Sequence, residues 1–470
     1  MDAPVSDGLP VARRRWAVTA LAAATLMSMM DQSTANVALP TIARGLHTSA
    51  AASIWVINAY QLTVMVGVIP ISSLGDIFGH TRVYRTGLAV FIVASLAGAL
   101  SSTLLTLTLA RVVAGLGAAA LTTSVGALSR HTYPHAMLGR ATANNAMFVA
   151  LGAAAGPIAA GAILSFAPWP WLFAINVPFG IAALALSLRS LPQISGSRHR
   201  FDWQSALLSA VTFGLGIIAL DGIAHNGRPR LIALELAIAL VVGIVFVRRQ
   251  ARLAMPMFAV DLLARPVISL AAFSCLLSFV AQTIAYVALP FLFQNVLGRT
   301  PLQTGLLLLP WLLAAAAMAP LSGRLVERYD AEILGAAGLG VFFAGLALLT
   351  LLPAHPSNLD ILWRMTLCGI GYGFFQAPNN RTIQGSAPRE RSGASQGIQA
   401  VARLVGQTLG AVAVAIAFGV TPVSAHSARA DEHSVTIALI VATISAAVAA
   451  IACLVRRGIP RSARAHPVSS

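Results

Sequence analysis

About fourteen apolar runs, each long enough for the roughly 20-residue helix that crosses a bilayer, divide this chain of 470 residues from end to end. With 57% of residues apolar and only 10% charged, the chain has too little polar surface to cover a water-soluble globule. In hydrocarbon, every backbone N–H and C=O must find its partner inside the segment that carries it, so runs of this length fold as helices. The class is therefore an all-α polytopic membrane protein, with spans expected near 16–39, 52–74, 83–101, 103–128, 140–165, 171–190, 203–221, 231–247, 267–293, 304–323, 332–352, 359–382, 396–420 and 434–455.

All 31 basic residues are arginine, and the formal charge is +16. On a soluble domain that charge would point to nucleic acid, but here the arginines fall between the apolar runs instead of forming one face. They concentrate at the N-terminus (Arg13, Arg14, Arg15), in alternate loops and at the C-terminus, the positive-inside pattern. Both termini are expected to be cytoplasmic, the number of spans even, and the chain resident in the cytoplasmic (inner) membrane. The absence of lysine removes the Walker A phosphate loop, so the chain does not supply its own ATPase. Cys275, Cys368 and Cys453 all lie inside apolar runs, which gives neither a disulfide framework nor a zinc spacing. The histidines sit mostly in loops and tails, where they do not converge with acids for metal or acid–base chemistry; no enzyme, cofactor or metal site is expected.

The first span carries an acid in its interior, Asp31 in LMSMMDQSTANVALP. A carboxylate at the centre of a membrane helix costs roughly 2.5 to 3.5 kcal/mol on insertion scales, so its default reading is a substrate or proton site. Three arginines also fall within spans: Arg111, Arg364 and Arg403. Counting ~1.5 Å per residue, Asp31 lies ~22 Å from the cytoplasmic end of the first helix and Arg111 ~12 Å from the outer end of the fourth. In a span of roughly 30 to 35 Å the two charges share a depth. Glu235 stands near the outer end of the eighth span, close to Arg228 and Arg230, and reads as interfacial.

Two cytoplasmic turns repeat one composition. SSLGDIFGHTRVYR follows the second span and APLSGRLVERYD the tenth, each with an acid (Asp76, Glu327) just past a helix end and arginines nearby (Arg82 and Arg85; Arg324 and Arg328). That grouping suits a charge latch between helix ends, and duplicated halves are what rocking transporters are built from. In the fifth span, Gly152 and Gly156 followed by Pro157 permit close helix approach and a bend, which reads as a hinge. The glycines at 369, 371 and 373 follow no strand, so they read as helix packing and not as a dinucleotide loop.

Taken in order, these segments resemble the major facilitator superfamily, and within it the fourteen-helix drug:proton antiporter family, over nearly the whole chain. Asp31-Gln32-Ser33-Thr34-Ala35-Asn36-Val37-Ala38-Leu39-Pro40 is similar to the signature D-x-[ST]-x-x-N-V-A-L-P. Gly75-Asp76-Ile77-Phe78-Gly79 resembles the superfamily latch, and the segment from Ala110 through Arg111 to Gly115 resembles its helix-four pattern. Gly152 to Pro157 and then Gly161 are similar to an exporter pattern, and WPWLFAINVPFG, GIGYGFFQAPNN and RLVGQTLG resemble this subfamily in particular. The chain departs from the pattern at Ile77, His80 and Thr81, where basic residues are usual, and at Ala114, Ala160 and Asp330; Arg82 and Arg85 are expected to stand in at the latch.

The resemblance implies the major facilitator fold: two six-helix bundles plus two extra central helices, fourteen transmembrane helices in all. The expected organisation is a cytoplasmic tail at 1–15, a first bundle at 16–191, two inserted helices with cytoplasmic connectors at 192–258, a second bundle at 259–457 and a cytoplasmic tail at 458–470. The expected function is proton-coupled export of hydrophobic, cationic drugs or toxic compounds by alternating access, with Asp31 and Arg111 as the coupling pair. Asp31, Gln32 and Asn36 would also meet the substrate, together with Trp55, Tyr60, Phe148, Tyr286, Phe374 and Arg403. The latch would comprise Gly75, Asp76, Gly79, Arg82, Arg85, Glu327 and Arg328, and the hinge Gly152, Gly156, Pro157 and Gly161. The partners are the lipid bilayer, small-molecule substrates and protons, with the protein read as a monomer. A transporter of the same fold moving a physiological solute, and a membrane sensor, are the alternatives. The three intramembrane arginines keep anionic substrates in play.

Overall fold

The computed structural model describes residues 8–134, 137–194, 196, 201–224, 228–252, 260–353, 355–386, 392–420 and 428–458. Residues 1–7 and 459–470 of the expected tails, and residues 197–200 and 253–259 of the expected connectors, lie outside the described residues. Among the described residues every regular element is helical. In chain order these are α1 (Val11–Gly45), α2 (Ala50–Ser53), α3 (Trp55–Phe78), α4 (His80–Ala99), α5 (Leu104–Thr132), α6 (Leu138–Phe166), α7 (Trp171–Ala174), α8 (Asn176–Ser190) and α9 (Trp203–Ala224). They continue as α10 (Pro229–Arg252), α11 (Val260–Leu263), α12 (Pro266–Phe291), a π-turn (Leu292–Val296), α13 (Pro301–Leu325), α14 (Ala331–Thr350), α15 (Asn358–Gly385), α16 (Ser392–Val420) and α17 (Ala428–Arg457).

Among the described residues, eleven stretches are long and apolar enough to cross a membrane on their own. Beyond those, α1 and α15 are long helices diluted by polar side chains, and α9 holds a shorter apolar stretch, Trp203–Ala219. The expected helix near 171–190 is divided into α7 and α8, because Pro178 has no N–H to give the carbonyl of Ala174 and the ladder breaks just before Asn176. The helix ends obey local chemistry. The Thr103 hydroxyl accepts from the backbone of Thr106 in a capping box at α5, and Thr300 with Gln303 does the same at α13.

The chain divides into two compact units, Met1–Ala210 and Val211–Ser470. Within the first, α1 packs on α6 and α8, and α5 on α3 and α4. Within the second, α15 packs between α13 and α14, and α12 packs on α16 and α17. Small residues set these contacts. A Cβ on Gly115 would stand 2.7 Å from the Tyr60 carbonyl and 2.8 Å from Thr63 Cβ, so only glycine lets α5 lie this close to α3.

Candidate functional site

The α3–α5 contact fixes the centre of the first unit. Arg111 stands one turn before Gly115 on α5, and its side chain crosses to α1, where Nη1 donates to Asp31 Oδ2 at 2.6 Å. Asp31 and Arg111 are each 3% exposed, so neither charge is answered by solvent. The Arg111 Nε donates to the Val56 carbonyl at 3.2 Å, and the guanidinium carbon lies 4.2 Å from the Tyr60 ring centroid and 5.5 Å from that of Phe173. The guanidinium thus lies near two aromatic rings, with one carbonyl and its acid as hydrogen-bond partners.

The second carboxylate oxygen is also occupied. Asn176, at the first position of α8, donates from Nδ2 to Asp31 Oδ1 at 2.8 Å. The break before Asn176 positions this amide, and α8 packs on α1. Both carboxylate oxygens of Asp31 are thus engaged, and removing any one partner leaves a buried polar group unanswered. Tyr60 is tied back by its hydroxyl to Ser28 at 3.2 Å, one turn before Asp31 on α1.

The glycines of α6 form the bed on which α1 lies. A Cβ on Gly152 would stand 2.8 Å from Met29 Cβ, and one on Gly156 would collide with the Ser33 hydroxyl and stand 3.0 Å from the Met30 carbonyl. Thr34 Oγ1 donates to the Gly156 carbonyl at 3.3 Å. Residues 29 to 34 bracket Asp31, so this contact holds the acid's own turn in place. Pro157 and Gly161 are buried within α6.

The expected substrate residues are dispersed. Tyr60 lies in the Asp31 cluster; Gln32, Asn36, Trp55 and Phe148 are half-buried elsewhere in the first unit. In the second unit, Tyr286 packs its ring 4.9 Å from Trp311, Phe374 is half-buried, and its carbonyl accepts from Ser322 at 2.6 Å. Arg403 is half-buried on α16.

The two expected latches take different forms. Asp76 is hydrogen-bonded to His80 Nε2 at 3.0 Å, one turn on. Gly79 between them sits at φ 91°, a conformation that favours glycine. Gly75 is packed against the His80 ring. Arg82 is exposed, whereas Arg85 turns to α8 and donates to the Ser187 carbonyl at 2.8 Å, beside Arg13 Nε, which donates to the Ser190 carbonyl at 3.0 Å. Two cations therefore meet the negative end of α8. In the second turn Glu327 and Arg328 are exposed around a cleft of about 430 Å³, and Arg381 donates to the Val326 carbonyl at 2.6 Å. Arg364 pairs with Asp360 at 3.1 Å and reaches carbonyls at the end of α14, which accounts for its charge structurally.

Asn176, Phe173 and the Val56 carbonyl were not among the expected site residues. Asn176 and Phe173 belong to WPWLFAINVPFG, where an amide and a phenylalanine beside prolines have no periodicity to mark them. The carbonyl carries no sequence signal at all.

The family profile described as Major Facilitator Superfamily matches residues 21–411. The chain is 48% identical over 460 residues to the uncharacterized transporter YebQ of Escherichia coli, covering 97% of this chain and 98% of that one. It is 31% identical over 388 residues to the multidrug resistance protein Stp of Mycobacterium tuberculosis, covering 82% of this chain and 72% of that protein. Among solved structures, a bacterial homologue of the human lysosomal transporter Spinster, inward-facing and unoccupied, matches in fold with TM-score 0.72 at 14% identity, over 98% of this chain and 100% of that one.

Proposed function

The chain belongs to the Major Facilitator Superfamily, and on that premise we propose that it exports hydrophobic compounds across the cytoplasmic membrane in exchange for protons. The observation that carries this reading is the buried Asp31–Arg111 pair, with the acid's other oxygen on Asn176. A fixed pair of this kind stabilises a fold poorly against a well-packed apolar alternative, and its value lies in having two states. A proton arriving on Asp31 cancels the charge that holds Arg111, and the arginine then keeps only its carbonyl and aromatic neighbours. A cationic group of a substrate competes for the same carboxylate when the proton leaves. One acid serves both cargoes in turn, which is exchange.

In this reading α1, α9 and α15 cross the membrane with the eleven apolar stretches, giving fourteen passes and two cytoplasmic termini. The bundles span 16–191 and 259–457, with the pair within 192–258 between them. The drug-resistance relative supports a toxic or foreign cargo.

The test is export from proteoliposomes under an imposed pH gradient, with a panel of lipophilic cations, comparing wild type with Asp31→Asn. The substitution is expected to abolish gradient-driven exchange while membrane insertion and yield remain normal. Wild-type rates in the variant would refute the coupling role of Asp31.

A further inference from the structure

Arg403 is the charge that the exchange cycle at Asp31 leaves unused. It stands ~17 Å along α16 from Ser392, and its neighbours Cys275 on α12 and Tyr372 on α15 lie ~14 Å and ~20 Å from the nearer ends of theirs, counting 1.5 Å per residue. With these helices spanning the membrane as proposed, all three positions lie well inside the hydrocarbon. Two other arginines of this unit have acids: Arg364 pairs with Asp360 at 3.1 Å, and Arg456, in the last turn of α17, approaches Glu332 at 3.9 Å while donating to Asn379 Oδ1 at 3.1 Å. Among the described residues no acid pairs with Arg403. Its electrostatic neighbours are a thiol and a phenol.

The surroundings are aromatic. Tyr372 meets Phe279 at 5.8 Å and Phe342 at 5.6 Å between ring centroids; Phe342 meets Trp311 at 5.5 Å, and Trp311 meets Tyr286 at 4.9 Å. One turn past Arg403 the α12–α16 contact is tight, since a Cβ on Gly406 would stand 2.9 Å from Phe279 Cβ, and Phe279 is a member of this row. A cation deep in a membrane protein without a carboxylate is costly to keep. A guanidinium offers a planar fork that matches a carboxylate.

We propose that the cargo is an aromatic compound bearing an anionic group, a carboxylate in the simplest case, which Arg403 receives while the ring system lies on the α12 and α15 side of the row, at Tyr286 and Tyr372, since Trp311 and Phe342 are fully buried. This rests on the reading of the chain as an exporter and narrows its substrates to amphoteric aromatics, which bear the cationic group of the exchange cycle as well as an anionic one. A purely cationic compound leaves Arg403 unanswered.

The experiment measures equilibrium binding in detergent, without a pH gradient, to three matched pairs of dyes, each a carboxylic acid and its alkyl ester; a carboxylate-bearing rhodamine and its ethyl ester is one pair. Wild type is expected to prefer the acid in each pair. Arg403→Gln is expected to weaken acid binding by about tenfold or more while leaving the ester unchanged. Arg403→Lys, which keeps the charge but loses the fork, is expected to fall between. Ligand-induced shifts in the thermal unfolding of wild type supply the same acid–ester comparison should Arg403→Gln fail to fold. No wild-type preference for the acids, or equal loss of acid and ester in the variant, overturns the proposal. Because no gradient is applied, that failure leaves proton exchange at Asp31 standing. Conversely, an intact acid preference with no gradient-driven export would overturn the exchange reading alone.

Discussion

At the scale of single residues, Asp31 is held by a cation and an amide at once, and the two contacts do different work. Arg111 supplies the opposing charge, and Asn176 fixes the orientation of the carboxylate by engaging the oxygen that Arg111 leaves. Asn176→Ala should therefore lower thermal stability by about 1–3 kcal/mol, the cost of leaving a buried acceptor without its donor. It should also slow gradient-driven exchange without abolishing it, because the arginine remains. Thermal unfolding and transport assays on the same preparation check both parts, and an unaltered variant would mean that the amide is incidental. Asp31 itself was legible in the sequence, since an acid inside an apolar run is conspicuous by its cost. Arg111 was legible by depth. Asn176 was not, because an uncharged amide near a helix start looks like any cap or turn residue.

The governing device at the scale of elements is close helix contact through small residues. Glycine at 115 brings α5 against α3 and sets Arg111 over Tyr60; glycine at 152 and 156 brings α6 against the turn of α1 that bears Asp31. Gly156→Ala places a methyl group on the Ser33 hydroxyl and 3.0 Å from the Met30 carbonyl, so a loss of about 1–3 kcal/mol is expected from overpacking. Adding Ser33→Ala should recover part of it, since the hydroxyl is the nearer obstacle. Melting curves of the single and double variants check this coupling, and strict additivity would argue against a shared contact. The latch segments give the opposite lesson. Arg85 near Asp76 in the sequence suggested an ion pair, yet a long side chain takes the partner that lies in reach, here the carbonyl end of α8. His80 takes a place beside Asp76 because four residues apart on a helical path is one turn.

For the whole molecule, the open quantity is the number of passes. The eleven apolar stretches identify themselves by composition, whereas α1 and α15 are rich in polar groups and α9 holds only the shorter apolar stretch Trp203–Ala219. If α9 and α10 both cross, the residues joining them face outward. Arg228→Cys should then react with an impermeant maleimide in intact cells, and Arg82→Cys only after permeabilisation; both positions are exposed, and the native Cys275, Cys368 and Cys453 are buried and silent. Protection of Arg228→Cys until permeabilisation would remove that pair from the count. The sequence alone determined that the chain is helical and membrane-embedded and which of its acids is anomalous, because these follow from local solvation: hydrocarbon admits only internally bonded backbone and penalises each charge separately. Only the tertiary structure decided what answers those charges, giving Asp31 its amide, directing Arg85 and Arg364 to helix ends and leaving Arg403 without an acid among the described residues. A partner is a matter of distance between helices, and distance is set by packing that no single segment encodes.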